Sequence, residues 1–314
     1  GEPQGTAGKP ILDIIMKSGT LWSARLIEER GIKMKAAVFY KKHDLKIEEI
    51  KKPEPGPGEV LIKVMACGIC GTDVHIFEGD EGAAATPAGT VLGHEFSGII
   101  EKTGDGVTAF KAGDRVTVDP NKLCGKCSYC RSGIGHFCEN IIGIGTTVNG
   151  GFSEYCAVPE SQVYKIADTT SFSEAAMCEP AAVALNALRK AKDIAGRKIA
   201  VYGAGTIGLL VMSIAKSLGV AGCLFHDPDQ KHREFAERLG FEEIGDRNDA
   251  DIYVDACGHI SALTDMICLA KPCSELILLG NPAGDADIPK DVYWKILRRE
   301  LTLYGTWNSR YSMP

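Results

Sequence analysis

Between Met34 and about Lys165 the apolar residues fall in short runs, and Gly and Pro punctuate the gaps. KPEPGPGEVLIKVMACG, GTVLGHEFSGIIEKTGDGV and GDRVTVDP show the pattern. Runs of that length between turn residues predict strands, and together a compact, mostly β, barrel-like domain. The period changes at SFSEAAMCEPAAVALNALRKA, whose helical spacing ends near Gly196. KIAVYGAGTIGLLVMSIAKSLG then predicts a buried strand, a glycine turn and a helix, with further strands at AGCLFHD, DIYVDACG, ELILLG and LTLYGTW. Strands alternating with helices predict a parallel, doubly wound sheet covered on both faces. The first 33 residues read differently: PILDIIMKSGTLWSARLIEERGIK is weakly amphipathic and broken at Gly19. The expectation is an upstream extension, with the fold starting at Met34.

Size and charge narrow the class. A chain of 314 residues can bury a large core and accommodates two domains. A formal net charge of −6 offers no electrostatic footprint for nucleic acid or for an anionic membrane surface. No apolar run approaches a bilayer span. Twelve cysteines, most without a plausible partner spacing, fit a reducing compartment, and the cytoplasm is the simplest expectation.

Four of those cysteines stand in LCGKCSYCRSGIGHFCEN. Cys124, Cys127, Cys130 and Cys138 have the spacing C-x2-C-x2-C-x7-C. Short loops let four thiolates converge on one tetrahedral ion, as a closed structural zinc site requires. Iron–sulfur ligation and plain buried or disulfide-bonded cysteines are the alternatives. Cys67, Cys156, Cys178, Cys223, Cys257, Cys268 and Cys273 lie in apolar runs and read as small core residues. The Arg298–Arg299 pair reads as solvated charge.

A second constellation surrounds the turn VYGAGTIG, with Gly203, Gly205 and Gly208 in the pattern G-x-G-x-x-G. Gly203 permits the tight turn, Gly205 lets backbone approach a pyrophosphate, and Gly208 lets helix and strand pack closely. The helix opening at Thr206 and Ile207 offers free N–H groups to phosphate. Asp227, 24 residues beyond Gly203, follows the next strand, where a carboxylate accepts from ribose hydroxyls and repels a 2′-phosphate. NAD is therefore expected over NADP. An unliganded tight turn is the bland alternative.

Cys70 in ACGICGTDVHIFEGD, His94 and Glu95 in VLGHEFSG, and Glu179 in MCEPAAV form a third set. A thiolate, an imidazole and a carboxylate could hold zinc and leave one coordination position open, the arrangement of catalytic zinc. By spacing alone the set is only suggestive, since solitary His and Glu residues are more often structural or solvated.

GICGTDVH, GHEFSG, the four-cysteine lobe, GGFSEY, CEP and GAGTIG occur in the order found in one family. From about Met34 to Pro314 the chain resembles the zinc-dependent medium-chain alcohol and polyol dehydrogenases. The resemblance implies an α/β chain with a GroES-like β-rich catalytic domain over 34–180 and a Rossmann NAD-binding domain over 181–307. Residues 308–314 would begin a C-terminal segment. It further implies one catalytic and one structural zinc, the latter in the four-cysteine lobe. Cys70 and His94 match catalytic ligands, Glu179 matches a third ligand in polyol-type members, and Glu95 matches a carboxylate that binds the metal or waits beside it. Thr72 occupies the proton-passing hydroxyl position, His75 would continue that relay, and Asp73 would orient the site.

Within the family, KILRRELTLYGTWNSRYSMP and MCEP look most like the branch of galactitol-1-phosphate 5-dehydrogenases, with sorbitol-type members also similar. GTDVHI instead resembles the threonine dehydrogenases. The expected reaction is hydride transfer to NAD from a secondary alcohol of a polyol or polyol phosphate. An L-threonine 3-dehydrogenase-like enzyme and a non-catalytic zinc- and NAD-binding fragment are the alternatives. A homodimer or homotetramer is implied.

Three departures from the family pattern stand out. The family runs on for roughly 60 to 70 residues past Pro314, on the scale of ordinary domain sizes. FEEIGDRNDA, between Gly240 and DIYVDACG, is short for a helical crossover. His232 stands where many members carry a basic residue near the adenine.

Overall fold

The computed structural model describes residues 32–80, 84–245, 249–282 and 285–309. Residues 1–31, most of the expected extension, and 310–314 lie outside them.

The β-rich part is built from β1 (Lys33–Lys41), β2 (Asp44–Lys51), β3 (Glu59–Gly68), β4 (Thr90–Val91), β5 (Glu95–Thr103), β6 (Arg115–Val118), β7 (Asn121–Lys122), β8 (Ile142–Gly143), β9 (Tyr155–Pro159) and β10 (Val163–Lys165). Five of them form a sheet in the order β10-β6-β5-β3-β9, and three more pair as β2-β1-β4. Every pairing in these two sheets is antiparallel. Alternate residues of a strand share a face, so Val60 and Ile62 of β3 meet Phe96, Ile100, Val116, Val118 and Val158 in one core. Helices α1 (Gly71–Glu78), α2 (Ser128–Arg131) and α3 (Phe172–Ala176) interrupt or follow the strands.

Helix α4 (Cys178–Leu188) joins the two halves. The boundary expected at residue 180 falls inside it. Glu179 is buried at its first turn, and Ala184, Ala187 and Leu188 pack into the core of the second half. One helix thus serves two domains.

The second half alternates β11 (Lys198–Tyr202), α5 (Thr206–Ser217), β12 (Gly222–His226), α6 (Gln230–Arg238), β13 (Glu242–Glu243), β14 (Ile252–Asp255), α7 (Ile260–Leu269), β15 (Glu275–Leu278), α8 (Lys290–Arg298) and β16 (Thr302–Gly305). All six strands run parallel in the order β13-β12-β11-β14-β15-β16, the doubly wound dinucleotide-binding topology. One face packs under α4, α5 and α6 through Ile199, Val201, Val211, Met212 and Ala236. The other packs under α7 and α8 through Ala200, Tyr253, Met266 and Val292.

The short connection after Gly240 has a structural solution. β13 ends at Glu243 and β14 begins at Ile252, with β12 and β11 between them in the sheet. Ile244 and Ala250 are buried among Ala200 and Leu224, on the face that α7 covers. Side chains of the crossover itself thus cover the sheet there.

Two sequence readings need correction. Cys257 and Cys273 are exposed, because each stands just past or before a strand in a turn, and Cys273 has φ 64°. Arg299 is not solvated charge. Its Nη1 donates to the carbonyls of Ile267 at 3.3 Å, Cys268 at 2.9 Å and Ala270 at 2.5 Å, the open C-terminal end of α7. Arg299→Ala strands those acceptors and is expected to cost about 1–3 kcal/mol. Urea unfolding monitored by circular dichroism measures it, and a midpoint unchanged from the parent chain contradicts the cap.

Candidate active site

The four-cysteine lobe is a loop closed on itself. The sulfurs of Cys124, Cys127, Cys130 and Cys138 all lie within 4.8 Å of one another. Cys124 Sγ and Cys130 Sγ are 3.9 Å apart, close to the tetrahedral edge of about 3.8 Å that Zn–S bonds of about 2.3 Å would give. Backbone N–H groups point at the sulfurs: Cys124 N to Cys138 Sγ at 3.3 Å, Cys127 N to Cys124 Sγ at 3.4 Å and Cys130 N to Cys127 Sγ at 3.4 Å. The N–H groups of Lys126 and Cys127 hold the Cys124 thiol down at about 6, whereas burial and the sulfurs of Cys127 and Cys138 push Cys130 up to about 12. Four clustered thiolates repel one another, and a divalent cation is the charge that lets all four ionise. The residues fit a structural zinc.

The second donor set is assembled by strand register. β3 and β5 pair antiparallel with Gly68 opposite Glu95, so Cys70, just beyond β3, arrives beside His94 and Glu95. Their ligand atoms lie within 4.8 Å of one another. A Cβ on Gly68 would run into the Glu95 carboxylate and push it from its place beside Cys70. Cys70 is the N-cap of α1, and Asp73 Oδ2 accepts its N–H at 2.9 Å. Asp73 Oδ1 stands 3.5 Å from His94 Nδ1, so the ring is oriented with Nε2 left for a ligand. Among the described residues both atoms are buried and without a close hydrogen-bond partner.

The electrostatics of this pocket ask for a cation. Burial opposes charge on His94, yet the Asp73 carboxylate and the Cys70 sulfur hold its imidazole up at about 11. Burial raises Glu95 and pushes Glu179 up to about 7; His94 opposes the latter shift, while Glu95, Asp119 and Asp73 add to it. An excess of buried acids and one thiol around a single imidazole fits a zinc ion. Cys70, His94 and Glu95 are the three that converge. Glu179 lies outside that cluster, though near enough to feel His94 and Glu95.

Thr72 is half-buried on α1, two positions after Cys70. His75 is on the same helix, half-buried, with Nδ1 2.7 Å from Asp80 Oδ2. That pairing uses Nδ1, and Nε2 has no hydrogen-bond partner among the described residues.

At the sheet's C-terminal edge, Gly203 has φ 99°, a value open to glycine. Gly205 is the N-cap of α5, so Thr206 and Ile207 begin the helix with unpaired N–H groups toward the edge. A Cβ on Gly208 would collide with the Gly203 carbonyl. Gly208→Ala is therefore expected to abolish NADH binding, read by nucleotide fluorescence titration, and unaltered affinity contradicts the packing role. Asp227 is buried, and its carboxylate accepts from Ala204 N at 2.7 Å and Asp229 N at 2.8 Å. It therefore also holds the glycine loop in shape. His232 Nδ1 stands 3.1 Å from Asp227 Oδ2, tying the atypical residue to the carboxylate that braces the glycine loop.

The sequence reading passed over Asp255 and Gly258. Asp255, buried at the end of β14, accepts from Cys257 N at 3.0 Å and Gly258 N at 2.8 Å. The signal was available, since doubly wound sheets bind ligands outside the carboxyl ends of their strands.

Comparison with known proteins agrees with this architecture. Residues 56–168 match the alcohol dehydrogenase GroES-like domain. The chain is 34% identical over 286 residues to L-threonine 3-dehydrogenase of Pyrococcus abyssi, covering 84% of this chain and 81% of the relative. It is 33% identical over 299 residues to sorbitol dehydrogenase of Bacillus subtilis, covering 90% and 84%. A zinc-binding dehydrogenase of Sinorhizobium meliloti 1021, solved with NADP, superimposes with TM-score 0.82 at 31% identity over 90% of this chain and 87% of that one. The chain belongs to the zinc-dependent medium-chain dehydrogenases. Threonine and sorbitol enzymes match about equally, so identity does not separate the substrate branches. No helix among the described residues is long and apolar enough to cross a membrane.

Proposed function

We propose that this chain oxidises a secondary alcohol of a polyol or polyol phosphate, with NAD as hydride acceptor. The observation that carries the reading is the convergence of Cys70, His94 and Glu95 in a buried, acid-rich pocket of a chain that also has a dinucleotide loop. Cys70, His94 and Glu95 would hold zinc, and Glu179 stands ready as an exchanging carboxylate. Bound zinc supplies Lewis acidity, lowering the pKa of an alcohol hydroxyl. Thr72 takes the hydroxyl proton on its own oxygen and hands it to His75, whose ring Asp80 orients. Asp73 fixes His94 through the shared side of the ring.

Gly203, Gly205 and Gly208 shape the pyrophosphate cradle, and the N–H groups at Thr206 and Ile207 bind it. NAD supplies the hydride acceptor. The Asp227 carboxylate repels a 2′-phosphate, which supports NAD over NADP. The GTDVHI run and the threonine dehydrogenase similarity support a second reading, oxidation of the L-threonine hydroxyl.

NAD and NADP reduction by the zinc-loaded chain tests both. Sorbitol, galactitol, their 1-phosphates and L-threonine would be supplied with and without chelator. Chelator-sensitive turnover of a polyol supports the first reading and turnover of threonine alone the second. Turnover that survives complete metal removal sinks both.

A further inference from the structure

The two domains are joined by a reciprocal amide pair. Asn121 Nδ2 donates to Asn308 Oδ1 at 3.1 Å, and Asn308 Nδ2 donates back to Asn121 Oδ1 at 2.9 Å. Asn121 belongs to β7, at the foot of the four-cysteine lobe, and Asn308 follows β16 of the cofactor domain. Each side is braced. Gln162, buried, donates to the Asp119 carbonyl at 3.0 Å and the Asn121 carbonyl at 2.9 Å. Asp119 Oδ1 accepts from Asn121 N at 2.9 Å and Nδ2 at 3.1 Å.

On the other side Asn308 has φ 59°, a left-handed conformation that asparagine tolerates. Its carbonyl accepts from the fully buried Asn186 Nδ2 at 2.7 Å, and its Oδ1 accepts from Ser309 N at 2.6 Å. Asn186 lies on α4 about two turns beyond Glu179. A continuous polar chain therefore runs from Asp119 through Asn121 and Asn308 to Asn186, on the helix that carries Glu179.

We propose that Asn308 is a positioning residue for hydride transfer, its pairing with Asn121 setting how closely the cofactor domain approaches the metal pocket. The proposal rests on the dehydrogenase reading and adds to it the element that fixes the reacting distance. A misplacement near 1 Å from groups remote from the chemistry can cost about 100-fold, so a single interdomain tether has leverage on kcat.

Asn308→Gly removes the amide and keeps the left-handed backbone accessible. It is expected to lower kcat at least ~10-fold, with KM within about 2-fold and zinc content unchanged. The primary deuterium isotope effect on kcat should increase as hydride transfer becomes limiting. Asn121→Ala should give the same fall, and the double variant no further one, because both remove one interaction. Asn308→Asp keeps the acceptor for Asn121 Nδ2 but sets a carboxylate oxygen against Asn121 Oδ1, so it should lower kcat as Asn308→Gly does.

Hydrogen exchange supplies a readout independent of turnover. Asn308→Gly should speed exchange of the 119–122 amides at least ~10-fold and leave β11 and β12 protected. Multiplicative losses in the double variant, or unmoved exchange at 119–122, overturn the proposal. An unmodified chain that binds zinc and NADH yet oxidises no alcohol sinks the dehydrogenase reading instead, and the exchange result still judges the tether.

Discussion

Replacing Cys127 with serine is expected to collapse the four-cysteine lobe and strip one of two zinc ions from the chain. The lobe has little else to hold it. Its helix α2 spans only Ser128–Arg131, far below the length at which a helix stands alone in water. Its larger apolar side chains face outward, with Tyr129 42% and Phe137 49% exposed. Apparent binding energies of structural zinc reach about 10–16 kcal/mol in small domains, so a metal is the dominant source of order here. With serine at this position one thiolate is lost while the hydroxyl still caps Cys130 N, so any collapse reports the metal and not the cap. Metal analysis should fall from two zinc ions to one, and limited proteolysis should open between residues 124 and 138. Retention of two zinc ions with a protected lobe would falsify the structural role.

Cys70→Ala is the second large effect. It removes the proposed zinc ligand that stands between β3 and α1 while leaving strand register and both cores intact. The expected outcome is loss of the other zinc ion, with turnover reduced by at least ~10³-fold, about 4 kcal/mol of transition-state stabilisation. Stability should change little, because Asp73 still accepts the residue's backbone N–H. The contrast between the two variants is the diagnostic. One loses metal and local structure; the other loses metal and chemistry but keeps the circular dichroism spectrum and NADH affinity. Full turnover by Cys70→Ala would remove this residue from the reaction.

How much of this was legible in the chain depends on the range of the interaction concerned. The four-cysteine site was written within one short segment, because loops that short bring their own sulfurs together. The dinucleotide loop was equally local: a strand, three glycines and a helix start are consecutive, and Asp227 is one strand away. The alternation of strands and helices likewise gave the parallel sheet. Arg299 was misread for the complementary reason. Its partners are carbonyls of α7, some thirty positions earlier, and no local pattern marks a side chain that folds back to cap a different helix. Cys257 was misread because an apolar run does not reveal where its strand stops.

By itself, then, the sequence determined the chemistry on offer: the ligand types, the phosphate loop, and the periodicities that separate a β-rich half from a doubly wound one. Only the tertiary structure decided which acids share the pocket. Pairing of Gly68 with Glu95 brings Cys70, His94 and Glu95 together, while Glu179 enters on a helix that spans both domains and stays outside the cluster. It also decided how the domains meet, through Asn121 and Asn308, which are 187 positions apart. The physical reason is common to both. Periodicity reports which face of an element is buried, but sheet register and domain docking are set by packing between segments remote in the chain, and a single sequence carries no local mark of its distant partner.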